Sequence, residues 1–181
     1  MFYLGTDLVY IPRIRAALDR FGGRFLQRVY TPQEQRTCWR SLARSIPWET
    51  LSPETLLNNH LTPDVVNRLA GRWAAKEAVV KALGTGWHGV GYKDVEITRR
   101  ATGEPGVCLH GRALAALDRR CALHCQTHPA VVSAGPEAHW QVSFSHDRDY
   151  ATASAILVCG SGSDSLGPAP KATRTGSDVE C

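Results

Sequence analysis

Thr62-Pro63-Asp64-Val65-Val66-Asn67-Arg68-Leu69-Ala70-Gly71-Arg72-Trp73-Ala74-Ala75-Lys76-Glu77-Ala78-Val79-Val80-Lys81-Ala82-Leu83-Gly84 is the stretch on which the fold turns. A capping threonine, a proline at the first helical position and an acid in the first turn open it, and Gly84 closes it, so it predicts the longest helix of the chain, ending at about Leu83. Val66, Leu69, Trp73 and Val80 form an apolar stripe, and at roughly 100° per residue Glu77 falls inside it. A carboxylate there needs a partner. Lys81 offers an ordinary i,i+4 pair, which on a solvated face would carry no chemistry; the stripe position argues for more than that.

On the N-terminal side, Phe2 to Val9 alternate, with Leu4 and Leu8 on one face and Tyr3, Gly5, Asp7 and Val9 on the other. This predicts a strand from which Asp7 points without apolar company. Ile11, Pro12, Ile14, Leu18 and Phe21 predict a helix that Gly22-Gly23 stop, with Arg13 and Arg20 sharing one side. Thr31-Pro32-Gln33-Glu34 is a capping box and starts another helix. Ser45 to Leu61 carry Pro47, Pro53, Asn58 and Asn59 and read as an insertion with at most a short helix.

Beyond the long helix, Tyr92 to Thr98 and Gly106 to Leu109 form a hairpin around Ala101 to Pro105, followed by a short helix from about Arg112 to Arg119. Trp140, Val142 and Phe144 alternate with Gln141, Ser143 and Ser145, and Tyr150 to Val158 return through the turn residues His146 to Asp149. The fold class is α+β: a single module in which a small antiparallel sheet packs with a long central helix. Residues 1–159 are expected to form the domain, with an insertion at about 37–62 and a longer loop at about 120–139. The Gly/Ser/Pro-rich residues 160–181 are expected to be a disordered tail.

Composition bounds the reading. With 181 residues, 43% hydrophobic and 21% charged, the chain can bury one core. The best apolar run, Ala151 to Val158, is far short of the roughly 20 residues a membrane helix needs, so no membrane association is expected. Met1 to Asp7 contain no basic n-region or apolar h-region, so the fold is expected to begin at once and the protein to be cytoplasmic, its six cysteines reduced. Cys121, His124, Cys125 and His128 fit no standard zinc spacing and read as surface loop. Residues 1–44 hold eight arginines and three acids, a segment charge of +5 that predicts an acidic partner. A nucleic acid is not expected, since no aromatic series interleaves the arginines and no recognition helix is visible.

Strand-borne Asp7 and helix-borne Glu77 could converge on one hard cation, most plausibly Mg2+, which commonly takes one or two carboxylates plus phosphate oxygens. Gly84-Thr85-Gly86 leave backbone open to a phosphate-bearing ligand but are no Walker A loop. Ser143-Phe144-Ser145-His146 lack a nucleophile elbow.

Gly5 to Ile14 and Arg24 to Glu34 resemble the N-terminal signature of holo-acyl-carrier-protein synthases. Leu69 to Gly86 resemble the W/F-x-x-K-E-x-x-x-K-A segment of phosphopantetheinyl transferases, and Lys93 to Ile97, Gly103-Glu104-Pro105, Val142 to His146 and Tyr150-Ala151 are similar to the remaining blocks in order. The resemblance implies Mg2+-dependent transfer of 4′-phosphopantetheine from coenzyme A to a serine of an apo acyl carrier protein, in support of fatty acid or polyketide biosynthesis. It implies Asp7 and Glu77 as metal ligands and, with Lys81, as catalytic residues. Lys76, Gly84, Thr85, Gly86 and His146 are implied as coenzyme A contacts, and Arg13 and Arg20 as contacts for the acidic carrier. Each signature occurs once, whereas larger transferases of the superfamily carry two related halves. The resemblance to the compact family therefore implies a homotrimer, with coenzyme A between neighbouring subunits.

Overall fold

A computed structural model of the protein describes residues 1–127 and 137–160. In chain order the elements are β1 (Phe2–Tyr10), α1 (Ile11–Phe21), α2 (Gly23–Val29), α3 (Pro32–Cys38), α4 (Pro53–His60), α5 (Pro63–Leu83), β2 (Val95–Arg99), β3 (Pro105–Leu109), α6 (Gly111–Thr127), β4 (Glu137–Asp147) and β5 (Tyr150–Gly160). β1, β5 and β4 form an antiparallel sheet in that order, and β2 pairs with β3 as a separate hairpin. This is the expected α+β arrangement.

The central helix forms as its sequence dictates. Thr62 caps Val65 N, Pro63 is first, and Gly84 ends the helix in the left-handed conformation at φ 75°. α5 is buried almost all round, because the sheet lies on one side and α1, α3, β2 and α6 pack around the others. The stripe that the sequence suggested therefore does not mark an inside and an outside. Glu77 lies with Trp73 on a half-buried flank, next to exposed Lys81.

β1 alternates as expected, but Asp7 does not point away from the fold. Gly5 and Val9 on its face are buried and Asp7 is mostly covered, whereas Phe2, Leu4, Leu8 and Tyr10 are exposed. A Cβ at Gly5 would lie 1.9 Å from Ala78 O, so strand and helix touch backbone to backbone. No other residue fits there.

Two further differences follow from packing. α4 carries Leu56 into the core, and Trp39 Nε1 donates to His60 O at 3.0 Å, so this segment docks despite its irregular sequence. α6 runs to Thr127, eight residues past the expected end, because Ala113, Ala116, Leu117 and Cys121 supply a continuous buried face. Cys121 is therefore helical, not part of a loop. The first hairpin begins at Val95, after a single 3-10 turn at Tyr92–Asp94, and the second turns at Arg148 and Asp149 alone. His128, the rest of the loop to 136, and residues 161–181 of the expected tail lie outside the described residues.

Candidate active site

Two charged side chains meet where β1 crosses α5, and Glu77 stands one helical turn before the second of them. Asp7 pairs in register with Ala153 of β5 and faces the helix two residues beyond the Gly5 contact. Lys81, one turn after Glu77, donates from Nζ to Asp7 Oδ1 at 2.8 Å and to Thr6 O at 2.8 Å. The pair is not sealed: the Lys81 side chain is 48% exposed and that of Asp7 15%. Lys81 thus bridges to the strand and not to Glu77, which is left without an ion-pair partner among the described residues. Beside Glu77 runs a row of half-buried rings: Phe25 to Trp73 at 5.8 Å, Trp73 to Tyr92 at 5.3 Å, and Tyr92 to Trp87 at 4.2 Å between centroids. Burial raises the Tyr92 phenol pKa, the Glu77 carboxylate raises it further, and Arg28 opposes them.

Lys76 behaves otherwise. It is fully buried and donates to Tyr92 O at 2.8 Å and Val95 O at 2.5 Å, with Glu34 Oε2 at 2.8 Å. An ammonium has three protons, and these acceptors take all of them. The expectation that Lys76 meets coenzyme A is therefore corrected: it is an internal tie between α3, α5 and β2. Glu34 completes the knot, accepting from Thr31 N at 2.8 Å and Ile97 N at 2.9 Å. Desolvation lowers the Lys76 pKa, and Glu34 opposes that shift.

The loop after α5 is shaped as an open backbone turn. Gly84 and Gly86 both have positive φ, Gly86 N donates to Val80 O at 3.3 Å, and Thr85 Oγ1 donates to Gly86 O at 2.9 Å. Arg13 and Arg20 are exposed on one side of α1, Arg20 resting 4.9 Å over the Phe21 ring.

His146 is exposed near the end of β4 and lines a cavity of about 380 Å³ with Arg40, Arg68, Arg72 and Arg99. Gly103 and Pro105 of the Gly-Glu-Pro block line it too. Arg72 is 4% exposed and its Nε has no partner among the described residues, while Arg68 is held by Asp64. Sequence reasoning missed these four arginines as a group. The i,i+4 spacing of Arg68 and Arg72 was a signal, but Arg40 and Arg99 reach the cavity only through the tertiary fold. Arg72 and Glu77 stand roughly 140° apart around α5, so the cavity and the Asp7–Lys81 pair open on different flanks of the chain.

The arrangement sets a solvent-open Asp7–Lys81 pair near Glu77 and an open glycine turn on one flank, and an arginine-lined cavity on another. A family model described as the 4′-phosphopantetheinyl transferase superfamily matches residues 3–155. Among curated relatives, the holo-acyl-carrier-protein synthase of Gloeobacter violaceus is 47% identical over 155 residues, covering 86% of this chain and 91% of that protein. The synthase of Solidesulfovibrio magneticus is 38% identical over 156 residues, covering 86% and 94%. Of solved structures, a Chronobacterium ammoniagenes enzyme described as a complex with coenzyme A superposes with a TM-score of 0.57 at 29% identity, covering 87% of this chain and 96% of that one. The Neisseria meningitidis synthase gives 0.56 at 26%, covering 86% and 97%. The chain belongs to the 4′-phosphopantetheinyl transferase superfamily, and within it to the holo-acyl-carrier-protein synthases.

Proposed function

We propose that the chain transfers the 4′-phosphopantetheine group of coenzyme A to a serine hydroxyl of an apo acyl carrier protein, leaving adenosine 3′,5′-bisphosphate, in the cytoplasm and in support of fatty acid or polyketide synthesis. The observation that carries the reading is the Asp7–Lys81 pair, left open to solvent beside Glu77 within a chain of this family. The serine Oγ–phosphorus bond forms as the pyrophosphate phosphorus–oxygen bond breaks, and charge gathers on the leaving phosphate. Lys81 is long and half exposed, so it can exchange Thr6 O for a phosphate oxygen and neutralise that charge. Glu77, directly or through water, takes the serine proton.

The donor set fits Mg2+: both carboxylates offer hard oxygens, Asp7 keeps Oδ2 outside its Lys81 bond, and Glu77 has no ion-pair partner among the described residues. Asp7 and Glu77 would hold the ion, which supplies charge stabilisation at the pyrophosphate. Gly84, Thr85 and Gly86 present backbone to the coenzyme, and the His146 cavity, with its arginines, suits its phosphorylated end. Arg13 and Arg20 receive the acidic carrier. Residues 1–159, with Gly160 closing β5, act as the transferase domain.

Two features support a homotrimer. The outer face of the sheet exposes Phe2, Leu4, Leu8, Tyr10 and Tyr150, an apolar surface that further copies of this chain would cover. Because the cavity and the Asp7 cluster sit on different flanks, one coenzyme touching both draws them from neighbouring subunits. Incubation with coenzyme A, Mg2+ and an apo carrier should give the phosphopantetheine mass increment on the carrier; no increment with any apo carrier rejects the reaction. Mixed Asp7→Asn and His146→Ala subunits should recover activity that neither has alone, and a fully active monomer by sedimentation equilibrium rejects the trimer.

A further inference from the structure

The glycine turn assigned to the coenzyme stands at the unfavourable end of its helix. α5 is 21 residues long, and beyond Leu83 its chain turns with Gly84 N donating back to Lys81 O at 3.0 Å and Gly86 N to Val80 O at 3.3 Å. A helix carries roughly half a negative charge at its C-terminus, so a phosphate approaching residues 84–86 is repelled there, whereas phosphate sites are commonly built on helix N-termini. Lys81 is the basic residue of the last turn, but its ammonium is engaged by Asp7 and Thr6 O on the strand. Lys81 and Asp7 together carry no net charge. A further cation is needed to offset the helix end.

α6 supplies one. The Arg120 guanidinium carbon lies 3.9 Å from the centre of the Tyr3 ring. Tyr3 stands on the helix-facing side of β1, two residues before Gly5, where a Cβ would lie 2.7 Å from Ala82 N. The same guanidinium packs on Gly84: a Cβ there would lie 2.9 Å from Arg120 Nη1, 3.2 Å from Cζ and 3.4 Å from Nη2. Gly84 is thus glycine for two independent reasons, its φ of 75° and the arginine against its Cα. Arg120 Nε is buried and has no hydrogen-bond partner among the described residues. An aromatic face holds a cation in place without cancelling its charge. A positive charge is therefore fixed directly behind the turn.

We propose that Arg120 is a positioning residue for coenzyme A, bracing the turn at residues 84–86 and offsetting the negative helix end so that the turn accepts the pyrophosphate. The inference rests on the transfer reaction proposed above and deepens it. Arg120 acts through the Gly84 backbone and by its field, without touching the coenzyme. A charge at a helix end is worth about two- to thirtyfold in an equilibrium constant, the upper part of that range applying to partly buried positions such as this one.

The test uses the full chain. Arg120→Met keeps most of the aliphatic stem and removes the charge, and Arg120→Lys returns the charge without the planar guanidinium. Calorimetric titration with coenzyme A at low salt should give a Kd about tenfold weaker for Arg120→Met and about threefold weaker or less for Arg120→Lys, the gap narrowing in high salt. In transfer assays the coenzyme KM should rise likewise while the carrier KM stays at the parent value. A purely structural loss would instead lower Tm and the active fraction, and with it the apparent kcat, and leave the affinity of the folded molecules unchanged. 3′-Dephospho-coenzyme A separates the two phosphorylated ends of the ligand: the Arg120→Met penalty should persist with it, because the turn faces the pyrophosphate. Should Arg120→Met fail to fold, Arg120→Gln, which keeps a planar polar head, carries the same expectations. Coenzyme A binding unchanged by loss of the charge, a lysine variant as weak as the uncharged one, or a penalty that vanishes with 3′-dephospho-coenzyme A would overturn the proposal while leaving the reaction standing. A parent chain that neither binds coenzyme A nor modifies a carrier would overturn the reaction and this inference with it.

Discussion

Lys76 and Lys81 stand five residues apart on α5, and each meets a carboxylate at 2.8 Å. Distance does not separate them; environment does. The Lys76–Glu34 pair is 0% exposed on both sides and every donor is consumed by fixed acceptors, whereas Lys81 and Asp7 keep contact with solvent. A buried, saturated pair has no capacity to change partners and serves geometry, while an open pair can release one bond and take a ligand at little cost. One helix therefore carries a fixed joint and an open pair about 1.4 turns apart.

The largest effect expected from breaking this comparison is on catalysis. Asp7→Asn and Glu77→Gln should each reduce transfer by orders of magnitude, several kcal/mol in the barrier, with a thermal midpoint close to the parent's. Near-normal turnover of either at limiting Mg2+ would remove it from the metal site. The buried joint should respond in the opposite sense. Lys76→Met strands Glu34 and should cost about 3–5 kcal/mol by chemical denaturation, part of it recovered by adding Glu34→Gln. Lys81→Met, half in water, should cost less than about 1 kcal/mol of stability while still losing activity. Equal stability losses at the two lysines would erase the distinction.

The core beside that joint offers a pH test. Burial is the main cause that lifts the Cys38 thiol from 9.0 to about 11, and Tyr30, hydrogen-bonded to Leu69 O, is also raised, first by burial. A thiol raised in the folded state stays protonated longer than in the unfolded chain. Its contribution is intact below pH 9.0 and is lost as pH rises through about 11. The loss is of order 2–3 kcal/mol, and Cys38→Ala should flatten that part of the stability profile. An unchanged alkaline slope would exclude Cys38 as its source. The smallest effect belongs to the most exposed charges: Arg13→Glu or Arg20→Glu should raise the carrier KM by about five- to tenfold at low salt and less at high salt, leaving the coenzyme KM unchanged. A raised coenzyme KM would move these arginines to the other substrate.

The same contrast explains what the sequence could and could not say. α5 was legible from Thr62, Pro63 and Gly84 because caps and breakers act locally, and the α3 capping box was legible for the same reason. Asp7, Glu77 and Lys81 were visible through their motif. Lys76 was misread because it stands beside Glu77 in the family motif, while its own surroundings come from α3 and β2, which lie far away along the chain. The arginine cavity escaped notice in the same way. Arg40 and Arg99 are ordinary surface residues until the hairpin folds beside α5. α4 looked irregular because one leucine, Leu56, does most of its anchoring and no periodicity records a single contact.

Gly5 touches neither lysine nor carboxylate, yet it governs both ends of the open pair. With its missing side chain, a methyl group placed there would overlap the Ala78 carbonyl, and strand and helix would part by an atom's width. In terms of mutational tolerance, position 5 is a dead end: every one of the nineteen replacements carries at least that methyl or its equivalent, so none is mild. A saturation scan scored on turnover would therefore show an intolerant position that no inspection of reacting groups would select. The tolerance map of this enzyme is drawn by where backbones meet as much as by where substrates do.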